Sequence, residues 1–265
     1  ILTIIILGLI QGITEFLPVS SSGHVLIASR ILQNPSSFEF DVLVSFGTLF
    51  AVIIYYRTRL LEILSDLLKR RDLSLTLKLI VSTIPAIIIG FSLQGIIERY
   101  LHSVITVIIM LLAIGIVMVI SNRWKPQESM AVNKDLHNIT YSQALLIGLA
   151  QCISLVSGSS RSGVTMLAAL KFGFTKKVAA EWSFLMSIPV ILGASLKVLV
   201  SDAGLTFIKT ETTAFIIANC ISLLAGLAAI HILLNILQRN GLYWFGWYRI
   251  GLAIVLILLL SVKIL

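Results

Sequence analysis

Three titratable or charged side chains stand beside serines inside otherwise apolar sequence: Glu15, His24 and Arg161. Gln11 and Glu15 are four apart, which places both on one face of a helix. A carboxylate beside an amide oxygen can hold a hard divalent cation, with water completing the shell. The plainer alternative has Gln11 packing between helices and Glu15 bonding to backbone at a turn. Ser21 and His24 are three apart, so the imidazole can sit over the hydroxyl as a base over its nucleophile. Ser20, Ser21 and Ser22 can equally serve as helix caps. Arg161, in Ser159-Ser160-Arg161-Ser162-Gly163, has no acid near it in the chain. Its partner must come from elsewhere in the fold, with Glu15 or Glu181 the structural alternative, or from a ligand, and the guanidinium fork suits phosphate.

These residues belong to two copies of one stretch. GLIQGITEFLPVSSSGH (Gly8 to His24) recurs 140 residues later as GLAQCISLVSGSSRSGV (Gly148 to Val164), with seven of the sixteen positions from Gly8 to Gly23 identical. Both copies keep Ser-x-Ser-Gly, as Ser20 to Gly23 and Ser160 to Gly163. Hydroxyls and leftover N–H groups at a helix start make an anion cradle. The copies differ at the reactive positions: Glu15 and His24 face Leu155 and Val164, and Arg161 faces Ser21.

The elements that carry these groups must lie in a membrane. Hydrophobic residues make up 58% and charged residues 12% of the chain, against about 25% charged in a soluble protein. Runs long enough to span hydrocarbon recur, and the short alternating segments of a β-barrel do not. The net charge of +8 sits in short loops between apolar runs, where the positive-inside rule accounts for it; nucleic acid is not an expected partner. Cys152 and Cys220 lack metal-ligand spacing. The apolar start leads into a polar motif, not into a cleavage site, so it does not read as a signal peptide.

Two short apolar pieces, Ile1 to Leu17 and Val25 to Leu32, flank Pro18 and the serines, a pattern that predicts a re-entrant hairpin. Spans are expected at about 38–56, 79–97 and 104–120, then again at 178–200, 213–237 and 242–262. Arg57, Arg59, Lys69, Arg70, Arg71 and Lys78 mark one side as cytoplasmic, as do Arg123, Lys125 and Lys134. Following these charges, the first hairpin opens outside and the second, near Lys171, Lys176 and Lys177, opens inside. The expected fold is an all-α membrane protein: an inverted-topology repeat of six transmembrane helices plus two re-entrant helical hairpins. Residues 1–121 form the first repeat (hairpin 1–33), 122–141 a cytoplasmic linker, and 142–265 the second repeat (hairpin 142–172). Glu39 and Glu181 begin the spans after each hairpin, and Lys197 and Arg249 are placed to snorkel to an interface.

The paired motifs, with AAEWSFLMSIPVILGA after the second, resemble the undecaprenyl-pyrophosphate phosphatases of the bacitracin-resistance type over the whole chain. The resemblance implies a multi-pass plasma-membrane enzyme whose outward-facing site removes the terminal phosphate of a polyprenyl pyrophosphate, regenerating the monophosphate carrier of envelope glycan assembly. It places the family's Glu/Gln-x-x-x-Glu pair on Gln11 and Glu15, its serine turn on Ser20, Ser21 and Ser22, and its histidine on His24. Its Pro-Gly-x-Ser-Arg-Ser-x-x-Thr motif falls on Gly158, Ser160, Arg161, Ser162 and Thr165, and a last-span arginine on Arg249. Two positions depart from the pattern: Gln11 leaves a single carboxylate, and Ser157 stands where the family usually has proline.

The expected mechanism seats the pyrophosphate on Arg161 and on the serine turns (Ser20, Ser22, Gly23, Ser160, Ser162, with Thr165 and Arg249 added by the resemblance). Glu15 and Gln11 hold Mg2+ or Ca2+ against the same phosphates. Ser21 attacks while His24 takes its proton; His24 or water as the nucleophile are the variants. The rival function is a transporter or flippase of a lipid phosphate or other anion, whose two hairpins would gate alternately. The asymmetry of the copies favours the enzyme. Ser222 and Gly226 have small-xxx-small spacing, suited to close helix approach within one chain or in a homodimer.

Overall fold

The structure, a computed structural model, describes residues 1–33, 37–101, 103–124 and 135–262. Half of the expected linker, residues 125–134 with Lys125 and Lys134, and the Asn34-Pro35 break after the first short helix pair lie outside the described residues.

The described chain is helical. It opens with α1 (Leu2–Phe16) and α2 (Ser21–Ile31), then α3 (Phe38–Leu43), α4 (Ser45–Tyr55) and α5 (Arg57–Ser65). Next come α6 (Ser74–Ser92), α7 (Gln94–Tyr100) and α8 (Val104–Ser121). The second half begins with α9 (Tyr141–Gln151), a 3-10 turn over Cys152–Leu155, α10 (Arg161–Lys171) and α11 (Lys176–Leu199). It ends with α12 (Asp202–Thr210), α13 (Thr212–Asn240) and α14 (Tyr243–Ser261).

Five of these, α6, α8, α11, α13 and α14, are long and apolar enough to cross a membrane. The expected span at 38–56 is a sixth only in broken form: its helix is interrupted at Val44 and bends by 70° where α4 gives way to Arg57–Arg70. Those basic residues are expensive in hydrocarbon, and the chain turns aside where they begin. The α6 span starts earlier than expected, at Ser74, and stops at Ser92, with α7 as a separate short helix.

Local chemistry sets the breaks. Leu17 takes an extended conformation (φ −63°, ψ 138°), the geometry imposed on a residue before proline; Pro18 thus ends α1. Side-chain oxygens cap the restarts: Ser37 accepts from Phe40 N–H, Ser103 from Thr106 N–H and Thr175 from Val178 N–H. Thr140 and Gln143 form a reciprocal capping box at α9. Pro85 and Pro189 lie inside α6 and α11, where helix neighbours in a bundle can absorb the lost bond.

Packing between the halves is reciprocal. Helix α1 lies on α13, α9 lies on α6, and α8 pairs with α14. The duplicated glycines make the first two contacts close. A Cβ on Gly8 would sit 2.8 Å from the Ala218 carbonyl oxygen, and one on Gly148 would sit 2.3 Å from that of Ser82. The small residues of α13 serve the same purpose inside the chain. Ser222 donates to Val44 O at 2.8 Å, and Gly226 lies against Phe16 and Ala51. Under the paired helix starts, Phe16 meets Phe184 edge to face at 5.4 Å, in a core that includes Val19, Met118, Met166 and Ile230.

Candidate active site

The two serine turns end up face to face. Each starts its second helix from a serine in the left-handed half of backbone space, Ser20 at φ 79° and Ser160 at φ 72°, a conformation that costs a non-glycine residue about 1–3 kcal/mol and collects at functional sites. Each serine caps its own helix: Ser20 Oγ accepts from Gly23 N–H at 3.3 Å and Ser160 Oγ from Gly163 N–H at 3.2 Å. The turns also join to each other. Ser162 Oγ donates to Leu17 O at 3.2 Å, and a Cβ on Gly163 would meet Pro18 at 3.4 Å.

At this junction Glu15 is the hub. Its Oε1 accepts from Arg161 Nη2 at 2.9 Å; its Oε2 accepts from Ser21 Oγ at 2.6 Å and from Gln11 Nε2 at 3.0 Å. The ion pair is largely withdrawn from solvent, with side-chain exposures of 10% for Arg161 and 12% for Glu15. Arg161 Nη1 donates to Ser183 O at 3.0 Å, and Gln11 Nε2 also donates to Ser45 Oγ at 2.9 Å. Four separate stretches of chain thus fix one carboxylate. Glu181, the other acid open to Arg161, is instead bound by Arg59 Nε at 2.7 Å.

His24 does not sit over Ser21. Its Nδ1 lies 2.7 Å from Ser20 O and must donate, since a carbonyl only accepts. Its Nε2 lies 2.8 Å from the Tyr248 hydroxyl, the acceptor for that O–H in the neutral ring. With both nitrogens turned away, the group beside the Ser21 hydroxyl is Glu15. The structure hydrogen-bonds Ser21 to Glu15, and His24 to Ser20 O and Tyr248. His24 pins the carbonyl of the strained turn.

Two residues assigned to phosphate by the motif are buried and hydrogen-bonded within the protein. Arg249 is fully buried and does not snorkel. Its Nη1 donates to Pro18 O at 3.2 Å, and its Nη2 to Gly158 O at 2.6 Å, Ser159 O at 3.1 Å and Met110 O at 3.1 Å. It is a clamp on the carbonyls behind both turns. Thr165, also fully buried, donates to Arg161 O at 2.8 Å and Ser183 Oγ at 2.7 Å. It steadies the backbone and surroundings of Arg161.

The cradle is narrower than the Ser-x-Ser-Gly pattern suggests, because Gly23 and Gly163 spend their N–H groups on the caps. A helix start leaves its first-turn N–H groups without intrahelical acceptors, so Ser21, Ser22, Arg161 and Ser162 supply what remains. Ser22 and Ser162 hydroxyls lie 3.4 and 3.2 Å from those of Ser20 and Ser160. Ser45, Ser183 and Tyr248 join the site without any sequence signal, except that Tyr248 precedes Arg249.

Among the described residues no three His, Cys, Asp or Glu side chains converge to make a metal cage. Glu15 and Gln11 do adjoin, and turning the Gln11 amide over would present its oxygen beside the carboxylate. One carboxylate and one amide fit a cation that takes its remaining ligands from phosphate and water, the habit of Mg2+.

The chain is also similar to known proteins over nearly its whole length. A family model described as "Bacitracin resistance protein BacA" matches residues 4–255. A protein of Clostridium tetani (strain Massachusetts / E88) named "Undecaprenyl-diphosphatase" is 35% identical over 269 residues, covering 100% of this chain and 98% of that one. A protein of the same name from Lacticaseibacillus paracasei (strain ATCC 334) is 32% identical over 272 residues, covering 99% of each chain.

Proposed function

The chain belongs to the bacitracin resistance protein BacA family, and from that premise we propose how its site works and how it lies in the membrane. The protein is an undecaprenyl-diphosphatase, an integral membrane hydrolase that converts undecaprenyl diphosphate to the monophosphate and phosphate. The observation that carries the mechanism is the chain Ser21–Glu15–Arg161, a nucleophile, its base and a cation held within hydrogen-bond distance.

The terminal phosphoryl group binds against Arg161 and the N–H groups that start α2 and α10, which neutralise its charge. Ser21 Oγ attacks the terminal phosphorus. Its proton passes to Glu15 Oε2, the P–O bond to the inner phosphate breaks, and undecaprenyl phosphate leaves as an anion that needs no proton. Water then attacks the phosphoserine and the Ser21 O–P bond breaks; one water proton leaves on the phosphate and the other is released to solvent. The proton held by Glu15 returns to Ser21. Most of the acceleration comes from positioning and charge neutralisation, since phosphoryl transfer demands little covalent chemistry of the protein. Glu15 and Gln11 would hold Mg2+ or Ca2+, which when bound adds positive charge beside the phosphate oxygens.

Residues 1–121 and 142–265 are two repeats inserted in opposite senses, and the short pairs α1/α2 and α9/α10 are their re-entrant hairpins. The reciprocal packing of α1 on α13 and α9 on α6 supports this, as does the shared backbone of Ser20 and Ser160. The basic residues after α4 put that end in the cytoplasm, so the first hairpin, which carries Glu15 and Ser21, opens to the outer face. There the enzyme returns the carrier lipid to envelope glycan assembly.

The test is phosphate release from undecaprenyl diphosphate by purified protein in sealed vesicles of known orientation. Release from substrate added on the outer face, absent in Arg161→Ala, is the expected result. Release only from the inner face would reverse the topology, and full activity in the variant would remove Arg161 from the site.

A further inference from the structure

A cavity lies between the two halves of the chain, and nothing in the reaction uses it. It measures about 440 Å3 and lies between α3, α6, α9 and α11, lined among others by Glu39, Phe91, Gln151, Leu155, Gly193 and Lys197. Its lining shares no residue with the cluster around Glu15. Its size and mainly apolar wall are those of a small-molecule pocket, which typically places a few polar groups in a hydrophobic cleft.

Gln151 supplies the polar group. It is fully buried, and neither its amide nitrogen nor its amide oxygen has a hydrogen-bond partner. Its counterpart across the duplication, Gln11, spends the same amide on Glu15 and Ser45. A buried amide left unpaired is costly and calls for a specific reason. The position equivalent to Glu15 is Leu155, so this copy has neither a carboxylate to bind a cation nor a base. The two charged residues on the wall, Glu39 and Lys197, are of opposite sign, which leaves no net charge for an ionic head group to answer.

We propose that this cavity binds an uncharged long-chain alcohol, its hydroxyl paired with the Gln151 amide and its chain along Leu155 and the apolar wall. The amide has no exposed surface in the structure and turns toward the cavity on binding. A hydroxyl is donor and acceptor on one atom, which matches an amide offering both, and an apolar chain matches the rest of the wall. A neutral lipid thereby sits beside Gln151 where a lipid diphosphate sits beside its counterpart Gln11. Both isoprenoid alcohols and acylglycerols carry the required chemistry.

The experiment photolabels the full-length protein in phosphatidylcholine nanodiscs with a diazirine-bearing farnesol and, in parallel, a diazirine-bearing 1-oleoylglycerol. Labelled peptides are then mapped. Label is expected on the Ala86–Phe91 or Ser154–Leu155 segments, competed by free farnesol or 1-oleoylglycerol but not by the hydrocarbon farnesane. Whichever probe labels more strongly identifies the source. Gln151→Leu removes an unpaired polar group and should fold at least as well, yet lose labelling by about tenfold, the worth of one buried hydrogen bond. Gly193→Phe is a second variant: a Cβ at Gly193 meets nothing within 4 Å, so its ring can enter the cavity and should abolish labelling. Phosphate release by Gln151→Leu should match the wild type. Competition by farnesane, unchanged labelling in Gln151→Leu or Gly193→Phe, lost phosphate release in Gln151→Leu, or no label at these segments would each overturn the proposal; the last would leave the cavity to water.

Discussion

Ser21 and Glu15, six residues apart across the break at Pro18, are joined by a 2.6 Å hydrogen bond from the hydroxyl to the carboxylate. That contact is the reason for proposing Glu15 as the base. Spacing alone favours His24, three residues along the same helix, but a side chain's reach depends on where its ring is tied, and His24 is tied at both nitrogens. Glu15 reaches Ser21 because the extended Leu17 and Pro18 fold α2 back beside the end of α1.

Arg161 is expected to be needed for its shape as well as its charge. Arg161→Lys keeps the cation but cannot donate to Glu15, to Ser183 O and to a phosphate from one planar fork. Steady-state assays should show kcat/KM reduced by about 10²–10³-fold in Arg161→Ala, the cost of losing a transition-state charge partner. Arg161→Lys should recover little of this. Near-normal turnover in the lysine variant would mean that Arg161 acts only as a local charge.

On the proposed mechanism Tyr248, 2.8 Å from His24 Nε2, acts through His24 and not on the phosphate. In Tyr248→Phe the imidazole loses one neutral hydrogen bond, so kcat should fall by about two- to tenfold with KM little changed. Measuring both parameters, together with the His24 ring resonances by NMR, checks the link. A fall in kcat without any shift of those resonances would place Tyr248 in some other role.

Arg249 should matter to stability first. Its guanidinium serves four carbonyls from three parts of the chain, at Pro18, Met110 and Gly158–Ser159. Arg249→Met strands acceptors that water cannot easily reach, at about 1–3 kcal/mol for each one left unpaired. Thermal unfolding in detergent should show a clearly lower Tm, with activity falling alongside it. An unchanged Tm with lost activity would instead put Arg249 on the substrate.

A divalent ion should bind the enzyme with its substrate and weakly without it, because Glu15 and Gln11 offer only two protein ligands and Oε1 of Glu15 already holds Arg161. Calorimetric titration of Mg2+ should give weak binding to the free protein and clearly tighter binding when inorganic phosphate is present. Tight binding in the absence of phosphate would require ligands beyond this pair. Removal by a chelator should lower phosphate release.

Much of this site is legible in the chain because the duplication marks it. Identical residues at a fixed offset single out both turns, and an acid and an arginine in apolar sequence need partners. Glu15 and Arg161 are indeed each other's. What the sequence cannot carry is direction. Ser-x-Ser-Gly says that N–H groups start a helix there, but not that Gly23 and Gly163 are consumed by their own caps. Arg249 looks like a side chain that reaches for an interface, and only the fold puts backbone carbonyls all around it. The spans follow the hydropathy well from Val104 onward and less well at 38–56, where the break at Val44 leaves no mark in an apolar run.

The most direct test is a rapid acid quench of the enzyme mixed with undecaprenyl diphosphate carrying a labelled terminal phosphate, followed by peptide mapping. Acid-stable label on Ser21, appearing before free phosphate and forming far more slowly in Glu15→Gln by about 10²–10⁴-fold, is the result expected of a serine nucleophile with a carboxylate base. Acid-labile label on His24, or phosphate release at the wild-type rate from Ser21→Ala, would contradict it.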